Sequence, residues 1–341
     1  MKICVTGGHG FIGRVACQWL VSAGHEVVVL DSARPTQPHP WTTASFLGDV
    51  RDKEICVDAF RGCDRVLHLA AAHRDFGISE TEYFDVNQRG TAVVCEAMVI
   101  TGIRELCLYS SVAVYGSAAD PRSETTTPSP LSPYGKSKLA AEMVAVQWAQ
   151  GSDNRHCLIM RPTVVFGPES TANMYSLIRQ IHRKRFLLIG KGSHIKSLAY
   201  VDNVVAATMF LWGLSHNACP EPPLERHEIF NYADKPDLSV VGIVDAIYHA
   251  LHRTRPTIYI PMWFGLVVAI PFDLAIAVTG RNLPISSSRI RKLATATAFS
   301  ADKVQAAGFQ ANVTLTDGIA QMVEWYGTAK NAAMTGTDSG G

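Results

Sequence analysis

The sequence lacks the cysteine patterns that build disulfide frameworks or zinc sites. Its 341 residues include eight cysteines, with no CxxC pair and no regular spacing between them. Cysteines used in this way are typical of buried thiols in a reducing compartment. Met1 also leads directly into an apolar segment, without the cationic stretch and cleavage site of a signal peptide. We therefore expect a cytoplasmic protein with no metal site.

An excess of charge of one sign is also missing. The chain has 31 Lys and Arg residues against 30 Asp and Glu residues, a net charge of +1. A surface that binds nucleic acid normally carries a marked excess of Lys and Arg, because contacts to phosphate dominate its affinity. The balance gives no reason to expect a nucleic-acid partner.

No apolar run is both long and uninterrupted enough to span a membrane. The most apolar stretch, residues 258–278, is broken by Pro261, Pro271 and Asp273. A spanning helix needs about 20 apolar residues and seldom carries a carboxylate near its centre. Two interpretations stay open. The stretch is either a pair of helices buried in a substrate lobe, or an apolar patch that lies in the membrane interface beside nearby arginines.

Strand and helix signals alternate through the first half of the chain. Short apolar runs lie at residues 2–6, 26–30, 65–70, 106–110 and 157–161, and helical segments separate them. A strand repeatedly followed by a crossover and another strand predicts a parallel, doubly wound sheet of the Rossmann-like α/β class.

A glycine-rich motif stands where the first strand meets the first helix. Gly7-Gly8-His9-Gly10-Phe11-Ile12-Gly13 permits a tight turn and a close approach of the backbone to a pyrophosphate at the helix start. Asp31 ends the second strand, 18 residues after Gly13, where a carboxylate binds ribose hydroxyls and repels a 2′-phosphate. This arrangement predicts NAD rather than NADP, a preference that the nearby Arg34 weakens.

The alternation breaks down after Arg161. Helical segments at 174–183, 201–214 and 240–252 are separated by loops rich in Gly and Pro. We therefore expect an NAD-binding domain over residues 1–165, with returns to its sheet from residues 196–235. A smaller substrate-binding lobe is expected over 166–326. The small, polar residues 327–341 are typical of a disordered tail.

A second motif, Tyr134-Gly135-Lys136-Ser137-Lys138, opens a helix predicted to run to Gln150. Tyr134 and Lys138 are one turn apart on one face. A phenol with a pKa of about 10 is a poor base at neutral pH, but a neighbouring ammonium stabilises its phenolate form. Ser110 and Ser111 end the strand ahead, at the sheet edge where such folds bind ligands. Together these residues predict proton transfer at a carbinol oxygen.

These motifs resemble those of the extended short-chain dehydrogenase/reductase family, which includes sugar epimerases, dehydratases and reductases. The matching segments are GGHGFIG at 7–13, LAA at 69–71, Asn87 in DVNQRGT, SSVAVYG at 110–116, YGKSK at 134–138 and RPTVVFGP at 161–168. The resemblance implies that Ser111 supplies a catalytic hydroxyl, that Tyr134 is the acid/base and that Lys138 is its partner.

The glycine motif and Asp31 are predicted from the residues themselves, whereas the resemblance implies that Pro162 and Val164 lie near the nicotinamide and that Lys196 binds the substrate diphosphate. Asp49 and Val50, which close the third strand, are predicted to meet the adenine edge. The full predicted NAD set is Gly7, Gly10, Phe11, Ile12, Gly13, Asp31, Asp49, Val50, Leu69, Ala70, Ala71, Asn87, Ser110, Tyr134, Lys138, Pro162 and Val164. The predicted substrate set is His73, Arg74, Ser111, Lys196, Arg289 and Arg291. The loop holding His73 is equally compatible with a plain solvated turn. The spacing of His68 and His73 is not that of metal ligands, and a core or loop histidine is the better interpretation.

Two residues of the serine motif narrow the chemistry. Relatives that eliminate water carry an Asp-Glu pair directly after the serine or threonine, whereas this chain has Val112 and Ala113. Relatives that epimerise C3 and C5 use a cysteine just after the serine, and none is present there. The resemblance therefore implies hydride transfer at one carbinol carbon, as in 4-epimerases and simple dehydrogenases or reductases.

A narrower resemblance extends over nearly the whole chain. NYADKPDLS at 231–239 and SSSRIRK at 286–292 resemble bacterial epimerases that interconvert N-acetylglucosamine and N-acetylgalactosamine on diphospho-undecaprenol, in O-antigen and lipopolysaccharide assembly. This implies a transient 4-keto sugar, a lipid-linked or small diphospho-sugar substrate, peripheral contact with the cytoplasmic face of the inner membrane, and a homodimer. A UDP-sugar 4-epimerase, a 4-keto-sugar reductase, a 3β-hydroxysteroid dehydrogenase and a non-catalytic dinucleotide sensor are the alternatives.

Overall fold

The computed structural model describes residues 1–34, 42–73, 77–116, 121–215, 226–257, 259–279, 287 and 297–335. The strands are β1 (Lys2–Thr6), β2 (Glu26–Asp31), β3 (Ala44–Leu47), β4 (Arg65–His68), β5 (Glu105–Tyr109), β6 (His156–Pro162), β7 (Val164–Phe166), β8 (Leu188–Ile189), β9 (Ile195–Lys196), β10 (Leu198–Tyr200), β11 (His227–Tyr232), β12 (Leu238–Ser239) and β13 (Tyr259–Ile260). The helices are α1 (Phe11–Ser22), α2 (Lys53–Phe60), α3 (Glu80–Phe84), α4 (Gly90–Thr101), α5 (Pro133–Gln150), α6 (Asn173–His182), α7 (Val201–Leu211), α8 (Val240–Ala250), α9 (Met262–Thr279), α10 (Asp302–Ala306) and α11 (Leu315–Thr335).

Seven parallel strands form the central sheet, in the order β11-β6-β5-β4-β1-β2-β3. The chain leaves β1 in one direction to build β2 and β3, then crosses over to start β4 on the other side of β1. Ligands of doubly wound folds bind at the carboxyl ends of strands where this direction reverses. The predicted fold class is confirmed, and β11, inside the region 196–235, forms the edge beside β6.

Both faces of the sheet are covered, which explains its uninterrupted apolar strands. Val5 and Val29 belong to the core beneath α1 and α7. Cys4 and Val28, which point the other way, belong to the core beneath α2, α4 and α5. All seven described cysteines are free and buried.

The C-terminal lobe has a separate core. Helices α6, α8 and α11 pack around Phe166 and Tyr200. Helix α11 continues to Thr335. Residues 327–335 are therefore helical, although we expected a disordered tail from residue 327, and alanine-rich sequence favours that extension. Residues 336–341 lie outside the described part of the chain.

The alternative of a buried helix pair over residues 258–278 is wrong. Residues 262–279 form one helix, α9, with Pro271 inside it, and six of its large apolar side chains are exposed. The sequence pattern did not reveal this exposed face; Gly265 of α9 packs against Ile189 of β8. Among the described helices, none is long and apolar enough to cross a membrane.

Candidate active site

The loop between β1 and α1 is too tight to accept side chains at its glycines. A Cβ on Gly13 would lie 2.2 Å from the Gly7 carbonyl oxygen, and one on Gly7 would lie 2.8 Å from the Ala70 backbone nitrogen. Gly7 also adopts a φ of 71°, which favours glycine. Helix α1 begins directly behind this loop, so its free N–H groups face the switch point between β1 and β4. The loop is a cradle that fits a pyrophosphate.

Asp31 lies beside this cradle at the end of β2. One carboxylate oxygen accepts a hydrogen bond from the His9 backbone N–H at 2.9 Å, and the other accepts from the Ala33 N–H at 2.9 Å. Each oxygen keeps a lone pair, so the carboxylate remains able to accept ribose hydroxyls. The structure thus places Asp31 beside the cradle, and its contact with the adenosine ribose stays a prediction.

The segments that carry the three predicted catalytic residues come together at the carboxyl end of β5. Helix α5 starts at Pro133, because the Ser132 hydroxyl accepts from the Gly135 N–H at 3.0 Å. This cap places Tyr134 in the first turn. A Cβ on Gly135 would lie 2.5 Å from the Ala113 carbonyl oxygen, so that turn is pressed against the segment that follows Ser111.

Lys138 completes this arrangement from one turn further along α5. Its Nζ donates to the Tyr109 carbonyl oxygen at 2.5 Å. Helix α5 thus contacts the chain two residues before Ser111, through Lys138, and two residues after it, through Gly135. Burial lowers the pKa of Lys138 to about 8, although the Glu142 carboxylate acts in the opposite direction. The side chain therefore remains mainly an ammonium at neutral pH, the form that stabilises a phenolate.

A buried chain of hydrogen bonds starts at the sheet beside these residues. The Thr6 hydroxyl lies 2.6 Å from Nδ1 of His68, and Nε2 of His68 lies 3.1 Å from the Thr91 hydroxyl. Thr91 itself donates to the Asn87 carbonyl oxygen at 2.6 Å. We therefore assign the His68 proton to Nε2. Burial, and secondarily the charge of Lys138, lower the pKa of His68 to about 3, so the ring stays neutral.

The same chain continues through Asn87 to the catalytic helix. The Asn87 amide accepts from the Ala72 N–H at 2.8 Å and donates to the Ser137 hydroxyl at 2.9 Å. Ser137 in turn donates to the Tyr134 carbonyl oxygen at 2.8 Å. Asn87 lies in a π-helical turn, a local form frequent at functional sites. Its side chain therefore joins the segment after β4 to the first turn of α5.

Two buried hydroxyls mark the predicted nicotinamide region. The Ser110 and Thr163 hydroxyl oxygens have no hydrogen-bond partner among the described residues. Thr163 lies between Pro162, which ends β6, and the exposed Val164. Unpaired buried hydroxyls are costly, and a carboxamide offers both donors and acceptors to them. The residues present therefore fit a nicotinamide dinucleotide, and Thr163 is a candidate contact that the sequence did not reveal.

The two residues predicted to contact adenine are already engaged within the protein, Asp49 by hydrogen bonds and Val50 by burial. Arg51 donates to both Asp49 carboxylate oxygens, at 2.9 and 2.6 Å, and its other terminal nitrogen reaches Asp85 at 2.5 Å. These Arg51 hydrogen bonds lower the pKa of Asp49. Val50 is buried, and a Cβ on Gly90 would lie 3.0 Å from it. An adenine contact at these two residues stays a prediction.

A buried ion pair behind the site has no signature in the sequence. The Arg161 guanidinium donates to both Glu142 oxygens, at 2.8 and 2.6 Å. It also donates to the Tyr115 hydroxyl at 2.7 Å, and Tyr115 donates to the Asn231 amide oxygen at 2.8 Å. Because Glu142 follows Lys138 by one turn, these contacts attach the catalytic face of α5 to β6 and β11.

The other predicted residues that the structure describes lie on the segment after β4 and on β9. The Leu69 and Ala70 amides donate to Thr6, at 3.0 Å to its carbonyl and 3.3 Å to its hydroxyl. The exposed His73 contacts the Ala71 carbonyl through Nδ1 at 3.2 Å. Lys196 is half-buried on β9, and burial lowers its pKa. Arg74, Arg289 and Arg291 lie outside the described residues. Within the described ranges no cluster of three His, Cys, Asp or Glu side chains is suited to a metal ion.

Comparisons with known proteins give the site its context. Residues 3–220 match the family model of the NAD dependent epimerase/dehydratase family. The N-acetyl-alpha-D-glucosaminyl-diphospho-ditrans,octacis-undecaprenol 4-epimerase of Escherichia coli O157:H7 is 34% identical over 325 residues, 95% of each chain. A UDP-glucose 4-epimerase of Streptomyces lividans is 38% identical over 149 residues, 41% of this chain and 45% of its own.

A solved structure agrees with these relatives. MoeE5 in complex with UDP-glucuronic acid and NAD superposes with a TM-score of 0.74 at 26% identity, covering 96% of this chain and all of that one. Its bound NAD accords with the glycine cradle, Asp31 and the unpaired Ser110 and Thr163 hydroxyls described above. The chain therefore belongs to the NAD dependent epimerase/dehydratase family, within the extended short-chain dehydrogenase/reductases, and is an enzyme that uses NAD.

Proposed function

We propose that this enzyme is a 4-epimerase that interconverts N-acetylglucosamine and N-acetylgalactosamine on undecaprenyl diphosphate, at the membrane surface, for O-antigen or other cell-surface glycans. The observation that carries the proposal is the likeness to the Escherichia coli enzyme, which covers 95% of both chains and so includes the C-terminal lobe. The UDP-glucose 4-epimerase of Streptomyces lividans matches only 41% of this chain. The sequence of the substrate lobe therefore supports a lipid-linked sugar, whereas its fold is shared with MoeE5, whose structure contains UDP-glucuronic acid.

The proposed proton transfer uses the residues around β5. Tyr134 removes the proton of the C4 hydroxyl and later returns a proton to the C4 oxygen. The Lys138 ammonium, held by the Tyr109 carbonyl, favours the phenolate form of Tyr134. The Ser111 hydroxyl binds the C4 oxygen while it changes between alcohol and ketone. NAD, when bound, supplies the group that accepts and returns hydride at C4.

The residues after Ser111 support this reaction over an elimination. Val112 and Ala113 open a short 3₁₀ turn, and Val112 is buried. Neither carries the carboxylic acid or carboxylate that removal of water from adjacent carbons would need. Lys196, whose charge is half-buried on β9, is the proposed contact for the diphosphate of the substrate.

Cofactor identity and substrate choice are tested together on purified protein. We expect denatured enzyme to release NAD in near-stoichiometric amount, and the intact enzyme to epimerise prenyl-diphospho-GlcNAc in detergent without added cofactor. UDP-GlcNAc should be a poor substrate. Preference for UDP-GlcNAc would make the enzyme a nucleotide-sugar epimerase. Stoichiometric consumption of added NADPH would make it a reductase.

A further inference from the structure

We propose that α9 and the basic segment 183–191 together form a docking surface for an anionic lipid bilayer. The inference rests on the proposed function, because a substrate with an undecaprenyl chain must be taken from a membrane. It goes further by naming the surface and the chemistry of the membrane that it fits.

Helix α9 buries two small residues and exposes six of its large apolar ones. Gly265 and Ala269, one turn apart, are its buried residues, and a Cβ on Gly265 would lie 2.9 Å from Ile189 of β8. Six large apolar side chains are between 41% and 67% exposed: Trp263, Phe264, Val267, Val268, Ile270 and Leu274. Contiguous apolar patches of this kind mark interaction sites rather than ordinary protein surface.

The exposed face of α9 carries no charge. Its single acid, Asp273, is half-buried and accepts hydrogen bonds from the Ser287 backbone N–H at 3.1 and 3.3 Å. The rings of Trp263 and Phe264 meet edge to face at the start of the helix, with centroids 5.6 Å apart. Aromatic side chains at such positions are typical of segments that lie in a membrane interface.

Cations flank this apolar face. Arg183, Lys184, Arg185 and Lys191 are exposed. None of the four takes part in an ion pair within the described part of the chain. Their segment contains β8, which pairs with β13, and its Ile189 packs against Gly265 of α9, so the cations belong to the segment that supports the apolar helix. The exposed Leu187 and Tyr259 extend the apolar surface between them.

Charge complementarity decides the occupant. An apolar face beside exposed cations fits a leaflet whose headgroups are anionic and whose acyl chains lie just below them. In a two-fold interface built from the same surface, the second copy would offer these cations no exposed acid, because segment 183–191 has none and Asp273 of α9 is half-buried. The described surface therefore favours a lipid bilayer over self-association.

Vesicle flotation without any sugar lipid isolates the surface from catalysis. We expect the NAD-loaded enzyme to float with phosphatidylglycerol vesicles at about 0.1 M NaCl, and to bind phosphatidylcholine vesicles more weakly. Trp263→Asp combined with Phe264→Asp should weaken binding at least tenfold. The matched control is Val99→Asp with Ile100→Asp, two exposed apolar residues on α4, which should float like the wild type.

A charge-reversal pair tests the cations separately. Arg185→Glu with Lys191→Glu should lower binding to phosphatidylglycerol and remove much of its salt dependence. Arg61→Glu with Arg104→Glu, exposed cations distant in sequence from β8 and α9, should have no such effect. Far-UV circular dichroism and bound NAD report folding for every variant.

Three outcomes would overturn the docking surface. The first is a folded Trp263/Phe264 variant that floats like the wild type. The second is the same variant turning a stable dimer into a monomer with unchanged flotation, which would make α9 a subunit interface. The third is a wild type that epimerises prenyl-diphospho-GlcNAc in detergent but does not float, which leaves the proposed function intact. Flotation without turnover of that substrate would support the surface and contradict the proposed substrate.

Discussion

Strand β2 and helix α9 are similarly apolar in sequence but differ in where the molecule places them. The run Val27–Leu30 inside β2 is buried between β1, β3 and helices on both faces of the sheet. In α9, Gly265 packs against Ile189 of β8, and Leu274 is 67% exposed whereas Leu30 is 0% exposed. Apolar composition therefore does not fix burial, because the neighbours that the topology supplies decide it.

The difference also separates two kinds of functional surface. Around the sheet, a chain of polar groups runs from Thr6 through His68 and Asn87 to the first turn of α5, and its bonds between Thr6 and Thr91 are buried. At α9, large apolar side chains remain exposed, and we propose that they dock on a lipid bilayer. Substitutions and pH changes can test this contrast between the buried sheet and the exposed helix α9.

The largest effect concerns His68 in the buried polar chain. Its ring stays neutral to about pH 3 in the folded enzyme, whereas an unfolded histidine is protonated near pH 6.5. The unfolded state therefore binds more protons in this window, and acidification from pH 6.5 to 3 should cost roughly 5 kcal/mol of unfolding free energy. Urea unfolding of wild type and His68→Gln checks this. Parallel pH dependences of the two proteins would contradict the assignment.

Tyr134→Phe should lower kcat on the order of 10³-fold, about 4 kcal/mol of barrier, because the variant keeps the ring and loses the acid/base. Fold and bound NAD should persist. Tyr83→Phe is the matched control, since its ring centroid lies 6.0 Å from that of Tyr134. We expect the control to keep most of the wild-type turnover in an epimerisation assay. Turnover of the Tyr134 variant within about tenfold of wild type would remove Tyr134 from its proposed role.

Glu142→Gln should destabilise the enzyme by about 3–5 kcal/mol, because it leaves the Arg161 guanidinium buried without its counter-charge. The control is Glu96→Gln, which breaks the exposed pair with Lys53 and should cost less than about 1 kcal/mol. Both values come from denaturant unfolding. Equal costs would show that burial does not separate the two pairs.

The same substitution in β2 and α9 tests the opening contrast directly. Leu30→Ala should cost about 2–5 kcal/mol through lost burial and a cavity. Leu274→Ala should change the unfolding free energy by no more than about 0.5 kcal/mol, because the side chain is already in water. A large cost at Leu274 would mean that α9 is covered in the protein in solution.

The sequence predicted those features that depend on neighbouring residues along the chain. The bounds of β1 agree with the apolar run 2–6, because strand periodicity is a local signal. Helix α5 ends at Gln150 as predicted, and a Ser-Pro pair, also a local signal, marks its start. Glu142 on α5 and Arg161 on β6 are 19 positions apart in the sequence, and no spacing rule relates two such residues. The exposure of α9 was equally hidden, since an apolar helix has the same sequence whether buried or not.

The isotope at C4 of the sugar tests the central claim most directly. Prenyl-diphospho-GlcNAc carrying deuterium at C4 would be converted by purified enzyme without added cofactor, and the product examined by mass spectrometry and NMR. We predict prenyl-diphospho-GalNAc that keeps its deuterium at C4, because hydride leaves and returns at the same carbon on one enzyme molecule. Loss of the deuterium, or product formed only while added NADPH is consumed, would contradict a 4-epimerase with retained NAD.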